Sequence, residues 1–404
     1  MRQETNARKR LAAFAIVFAA ALSLAAGQTV TQARGPEVLG FTKSFTVEVR
    51  NPSPLALENH VLILDVDDIR ASVAPDFNTY MYAFFDNSAG EYALVVSQAD
   101  DYDKDRYHDE IVLVRSLPPS STTRLLCYYT PERSYQLMPT QKAFARGPWE
   151  TGGAEAGWES NLAAYKFVRG RIGVYGKAEA GLVLKGFPAA ETKDRDWGLD
   201  ILGPGESAGL GGLSLWDGAS RIPLFGPGAP QAKLTLVSPG PIRALVKAEY
   251  PAVKVGAVEA ALTVFFSAFA DNAYSRQDVL VAVNPGGAPL ILGPGVQKLA
   301  GETWSLDKAV GTLAVWGKGA EKAGEIGLAA VFDPARFTGL DESGSDRALK
   351  LDGGADGKLT YWVSGAWERG VTAPEPADAK SWARRVQDLA ARLFAPVRVE
   401  FKAK

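Results

Sequence analysis

The chain has 404 residues, with 44 Lys and Arg against 46 Asp and Glu, a formal net charge of -2, one cysteine and two histidines. Acidic and basic residues are interspersed, so no basic stripe is offered to a nucleic-acid backbone. A single cysteine excludes both an internal disulfide framework and a cysteine-ligated zinc site.

Residues 1–27 read as a signal peptide. Arg2, Arg8, Lys9 and Arg10 precede an apolar run from Leu11 to about Ala26, and the small residues Ala25 and Gly27 suit cleavage before Gln28. The run is short for a membrane span, which needs roughly 20 residues, and no cysteine stands near it for lipidation. The expectation is a periplasmic or secreted protein with no membrane association after cleavage; an uncleaved N-terminal anchor is the alternative.

From 36 to 135 the pattern predicts a small β-sandwich-like domain. In Phe45-Thr-Val-Glu-Val-Arg50 the apolar side chains alternate, as a half-buried strand requires. Cys127 sits in the strand-like run Leu125–Tyr129, where a buried thiol is an inert small hydrophobe. Between strands lies an acidic loop in which Asp101, Asp103 and Asp105 alternate, followed by Tyr107 and Asp109. Their carboxylates, with the Tyr107 carbonyl, can converge on one hard cation, so a structural calcium is the one cofactor the sequence suggests. A solvated acidic turn is the alternative, because Arg106 stands where an EF-hand has glycine and Val112 where it has the bidentate glutamate.

From 149 to 404 the pattern predicts a larger all-β domain. Its 41 glycines and 24 prolines, counted over the whole chain, punctuate short alternating runs such as Leu262–Phe266 and Val397–Phe401. The stretch Gly203–Gly212 lacks the Lys-Ser/Thr of a phosphate loop and reads as small residues over which a sugar or another backbone can lie. One helix interrupts the strands. From about Asp378 to Ala395, Trp382, Val386, Leu389, Leu393 and Phe394 recur at helical spacing, with Arg384, Arg385, Gln387, Asp388 and Arg392 largely elsewhere and Pro396 closing the run.

The two histidines, His60 and His108, both fall in the N-terminal domain. Histidine catalysis in the large domain therefore requires one of them to cross the interface, and a Ser-His-Asp hydrolase fails on the same count.

Several words of the sequence carry a family resemblance: Trp158-Glu-Ser-Asn-Leu-Ala-Ala-Tyr165, Tyr175-Gly-Lys177, Asp196-Trp-Gly-Leu-Asp200, Ser207–Gly212, Tyr361–Trp367 and the segment around Trp382. Upstream, Asn51-Pro52, Gln98, the acidic loop and Asp109-Glu110 fit as well. Together they resemble a secreted bacterial family known as domain of unknown function 4861. The resemblance implies a large twisted β-supersandwich similar to the galactose mutarotase and polysaccharide lyase superfamily. It also implies a carbohydrate context: an oligo- or polysaccharide partner, of pectin type by the company such families keep, and lyase or isomerase chemistry on uronic acids. Fold analogy by itself selects no reaction.

Within and beside those words, Lys177, Lys193, Arg195 and Tyr165 are candidates for carboxylate binding and proton transfer, as a lyase without histidine would need. Glu159, Asp196 and Asp200 stand beside Trp158 and Trp197, an arrangement suited to sugar recognition or to a carboxylate pair. The expected catalytic set is thus Lys177, Tyr165, Glu159 and Asp196. Trp158, Trp197, Asp200, Lys193, Arg195, Trp216, Tyr361 and Trp367 are the expected substrate-binding set. Each has a structural alternative, the tryptophans as core and Asp196 as a turn closer. The chain departs from the family pattern where Ser160-Asn161-Leu162 replaces an Asp-Arg, and where Lys193-Asp194-Arg195 replaces a histidine. A non-catalytic glycan-binding protein is the competing expectation.

Overall fold

The computed structural model describes residues 40–131, 140–148, 155–186, 197–203, 205–283 and 289–404. The expected signal peptide lies outside the described residues, as do Lys193, Arg195 and Asp196.

The fold is all-β with two α-helices among the described residues. Its N-terminal unit is two facing sheets. One has the strand order Arg398–Ala403, Lys43–Asn51, Ser121–Tyr129, Tyr82–Asp86, Ala93–Val95; the other has Leu57–Asp65, Glu110–Leu117, Ser97–Asp100. The expected alternation puts Phe45, Val47 and Val49 into the core with Leu64, Ile111, Leu113 and Leu125. Cys127 is fully buried there, and burial pushes its thiol well up. A short helix, α1 (Val66–Ser72), is capped by the Asp65 carboxylate, which accepts from the Asp67 and Asp68 amides.

The last strand corrects the expected partition. Arg398–Ala403 pairs antiparallel with Lys43–Asn51, Phe45 opposite Ala403 and Arg50 opposite Arg398, so the C-terminus closes the N-terminal sheet. At the other boundary, Ala143–Arg146 already belongs to a sheet of the large unit, pairing with Glu155–Ser160.

The large unit is built on an eight-stranded antiparallel sheet ordered Lys233–Pro239, Arg243–Val255, Val258–Phe269, Tyr274–Val283, Lys358–Trp367, Glu325–Phe332, Thr312–Lys318, Ala300–Asp307. Two five-stranded sheets pack on one face, burying Trp158, Phe167, Ile172, Leu215, Phe266 and Tyr361. The second helix, α2 (Ala379–Leu393), lies on the opposite face, capped by Asp378 through the Ser381 amide. Trp382 seats on Gly327, where a Cβ would stand 2.6 Å from the indole, so only glycine admits this contact. Exchanging Trp382 for alanine would cost about 3–5 kcal/mol.

A buried polar clamp joins the units. Gln98 donates to Ser238 Oγ (2.8 Å) and the Arg243 carbonyl (2.9 Å), while its Oε1 accepts from the Ile242 and Arg243 amides. Arg243 Nε reaches Asp100 at 2.7 Å, and Nη2 reaches Glu110 at 2.7 Å. The family-like residues Gln98 and Glu110 therefore fix the angle between the two units. Val112, Ile242, Phe269 and Tyr274 form a shared apolar core beside them, against which Leu389 and Leu393 of α2 also pack.

Candidate functional site

Lys177 and Glu159 meet, 2.6 Å apart, with both side chains fully buried. The ammonium also donates to the carbonyls of Ser160 (2.7 Å) and Gly181 (2.6 Å), so all three of its protons are used. Glu159 accepts in addition from the amides of Val183 (2.9 Å) and Leu184 (2.7 Å). Burial pushes the Glu159 carboxyl up and the Lys177 ammonium down, each shift opposed by the partner's charge. All three ammonium protons are committed within the fold, and neither side chain is exposed to a substrate in this arrangement. As placed, the pair expected to be catalytic ties the 158–165 segment to the Gly181–Leu184 turn from inside the fold.

Most of the aromatic residues expected to bind substrate are likewise placed in the core. Trp158 is fully buried, stacked on Phe266 with its indole bonded to Ser275 Oγ at 2.8 Å. Tyr165 and Tyr361 are fully buried, bonding the Ala273 carbonyl and Gln277 Oε1, each at 2.7 Å. Trp367 donates to the Ala323 carbonyl and Trp216 to Asp341, both side chains being buried. None of the five presents a ring face to solvent. Asp200 closes a turn by accepting from the Leu202 and Gly203 amides, and Trp197 is half-buried against Tyr175.

In the acidic loop, oxygens of Asp101, Asp103 and Asp109 lie within 4.8 Å of one another. Asp105 is not among them; its Oδ1 accepts from the Tyr107 amide at 2.8 Å, and the Tyr107 side chain is exposed. Burial and the charges of Asp103 and Asp101 push the Asp109 carboxyl up, partly offset by the Tyr102 amide. Lys104 and Arg106 take left-handed backbone, φ 70° and 82°, which lets non-glycine residues make the tight turn at some strain. Three carboxylates at this spacing could hold one hard cation.

Where the two units and α2 meet, a cavity of about 230 Å³ opens, and sequence reasoning did not select its lining. His60 from the N-terminal unit, the turn Asp271–Asn272–Ala273 with Tyr274, and Arg385 and Arg392 of α2 face it. The residues numbered 385 and 392 are two turns apart and border the apolar stripe, so they are half-buried, whereas Arg384 points to solvent. Neither makes an ion pair among the described residues. Arg385 donates to the Thr372 and Ala373 carbonyls and Arg392 to that of Asp388. Burial, then repulsion from Arg392, pushes the Arg385 guanidinium down. Burial likewise lowers His60, which favours a neutral imidazole at neutral pH.

The cavity wall is built with care by residues that the sequence did flag. Ser160 Oγ donates to the Asn272 carbonyl (2.6 Å), Asn161 pairs with Asp271 in both directions (2.9 and 2.8 Å), and Tyr165 holds the Ala273 carbonyl. Lys142 adds an ion pair to Asp271 at 2.8 Å. The family-like word 158–165 is thus the underside of the cavity turn, anchored in turn by the Glu159–Lys177 pair. Two non-glycine residues with left-handed backbone line the cavity, Asn59 (φ 49°) and Asp271 (φ 60°). Asn59 sits in a bulge of its strand, between Leu57 and His60. The one sequence signal for this place was the placement of His60 outside the large unit.

A second concavity, an open groove of about 700 Å³, lies on the other flank of α2. Trp362 and Phe394 meet edge-to-face in it, 5.7 Å apart, with Asp333, Arg336, Asp356 and Lys358 around them.

The family described as Domain of unknown function (DUF4861) matches residues 49–399. No curated protein matches the sequence. Among solved structures, the chain is similar to an alpha-mannosidase from Enterococcus faecalis V583, at 10% identity and a TM-score of 0.49 over 89% of this chain and 46% of that one. It is similar at the same identity and TM-score to a protein in glycosyl hydrolase family 38 from Enterococcus faecalis, over 89% of this chain and 47% of that one. The chain therefore spans about half the length of these neighbours, and neither is described as a mutarotase or polysaccharide lyase. Likeness at this level carries no argument about activity.

Proposed function

The chain belongs to the DUF4861 family, and on that premise we propose that it is an exported carbohydrate-active protein whose saccharide site is the cavity between its two units. The substrate class of this reading is a uronic-acid-containing oligosaccharide of pectin type, and the chemistry is that of a lyase or isomerase. One observation carries it: two half-buried arginines with no carboxylate partner among the described residues, Arg385 and Arg392, line the same cavity as His60, whose pKa burial lowers. The signal-like residues 1–27 support export.

In this reading the guanidinium groups neutralise the uronate carboxylate, which acidifies the adjacent C5 proton. Neutral His60 takes that proton as general base. Burial pushes the Tyr274 phenol up, so it stays protonated and can donate to the leaving oxygen. In the lyase case the C5–H and C4–O bonds break, and the electron pair becomes the C4–C5 double bond.

The test is incubation of residues 28–404 with a panel of uronate polysaccharides and their unsaturated oligosaccharides, following ultraviolet absorbance and product mass together. New absorbance supports a lyase; loss of an existing band without a mass change supports an isomerase. His60→Gln and Arg385→Gln should each lower turnover at least 100-fold with the fold intact. Turnover retained in both would overturn the site.

The open groove favours a second reading, a non-catalytic glycan-binding protein, because Trp362 and Phe394 offer an aromatic corner amid polar groups. Binding without product, lost in Trp362→Ala and kept in His60→Gln, would select it.

A further inference from the structure

At about 230 Å³, the cavity between the two units is smaller than the roughly 300–1,000 Å³ of an ordinary small-molecule pocket. It has room for one sugar unit and not for two. In a longer saccharide the neighbouring unit must therefore lie at the mouth, and whatever charge stands there meets it.

The cations of the lining, Arg385 and Arg392, are half-buried on α2. Two carboxylates also line the cavity, and they differ in kind. Asp271 is committed to the wall: it pairs with Lys142 at 2.8 Å and accepts from the Asn161 side chain at 2.9 Å. Glu58 is exposed, and its carboxylate makes no ion pair or hydrogen bond among the described residues. An exposed residue of the lining stands at the mouth.

The backbone puts this acid there. Glu58 lies in the irregularity of its strand between Leu57 and His60, where Asn59 takes a φ of 49°. Bulges re-aim side chains, and here Glu58, Asn59 and His60 all line the cavity, three consecutive residues that the alternation of a regular strand would divide between two faces. Asn59 is itself held, its amide donating to Ser116 Oγ at 3.1 Å and its side chain to the Asp271 carbonyl at 3.2 Å. The Glu58 backbone is thus fixed while its carboxylate stays in water. A carboxylate so placed repels a second one brought to the mouth, and rejection of that kind sets specificity as surely as attraction does.

We propose, on the reading of the cavity as a uronate site, that Glu58 selects its saccharide: a uronate whose neighbour at the mouth is uncharged, and not a run of free uronates. The arginines inside take the one carboxylate, and Glu58 turns away the next.

The test is calorimetric titration of the chain of residues 28–404 with digalacturonate and with each of its two monomethyl esters, which differ from the diacid in one charge. The better-bound ester should exceed the diacid about 3- to 10-fold in affinity at low salt, and the difference should shrink as salt is raised. Glu58→Gln should bring the diacid level with that ester, and Glu58→Lys should reverse the order. A diacid bound as tightly as either ester, or a preference that Glu58→Gln leaves in place, would overturn the role of Glu58. The uronate site would still stand in that case if Arg385→Gln weakened all three probes. Absence of binding by all three would overturn the site and the role of Glu58 together.

Discussion

Asn272 donates its side-chain amide to the backbone carbonyl of Asn59 at 3.1 Å, joining two parts of the chain 213 residues apart. The return bond runs from Asn59 Nδ2 to the carbonyl of Asp271, at 3.2 Å. Both Asn59 and Asp271 carry left-handed backbone. A strained turn and a strained bulge thus meet across the cavity and hold each other in place, which is where strain is expected when a site is preorganised.

Asn272→Ala should cost about 1 kcal/mol in urea unfolding, the worth of a typical hydrogen bond. Ligand affinity at the cavity should fall further than stability does, because the turn that forms the wall loses its tether. Equal small losses in both would show that the pair serves the interface alone. Asn59→Gly keeps the φ but loses the bond to the Asp271 carbonyl and should cost about as much as Asn272→Ala, about 1 kcal/mol, whereas Asn59→Val adds left-handed strain and should destabilise further.

Lys177→Met should destabilise by about 3–5 kcal/mol, because it leaves the buried Glu159 without its cation. Adding Glu159→Gln should recover part of the loss, and a double-mutant cycle in denaturant measures the coupling. A reactive lysine would behave otherwise: turnover would vanish while stability stayed unchanged.

Burial lowers the pKa of both His60 and His108 from the ordinary value of 6.5, so the unfolded chain binds protons more readily than the folded one near that pH. Their contribution to stability is fully present above 6.5 and is lost as pH falls through the lowered values. His60→Gln should flatten the decline of Tm just below pH 6.5, and replacing His108 as well should flatten it further. If His60 is the base, kcat/KM should rise across its lowered pKa and then level off.

Calcium should raise Tm saturably if the three carboxylates of the acidic loop hold it, and a chelator should reverse the effect. Asp103→Asn should remove the response, whereas Asp105→Asn should retain most of it, because Asp105 is not among the three carboxylates whose oxygens converge. No shift with calcium or chelator would identify the loop as a solvated acidic turn.

Local pattern determined much of this protein. Alternation located the strand at Phe45–Arg50, and helical spacing with a closing proline located α2 almost to the residue. Glycine and proline punctuation specified an all-β chain. These features rest on periods of 2 and 3.6 residues and on backbone preferences, which neighbouring residues suffice to express. What only the tertiary structure decided depends on partners far along the chain. The last strand could have closed either unit, since alternation encodes a face and not a neighbour, and it chose the N-terminal sheet. Lys177 and Glu159 carry the residue types of a reactive pair, but the fold buries both and bonds them to the amides of Val183 and Leu184 and the carbonyls of Ser160 and Gly181. Arg385 and Arg392 sit on a helical face that spacing alone assigns to solvent, and the N-terminal unit turned it into the wall of a cavity. Burial and pairing are properties of a neighbourhood assembled in three dimensions, so a charge's chemistry was settled there and not in its local sequence.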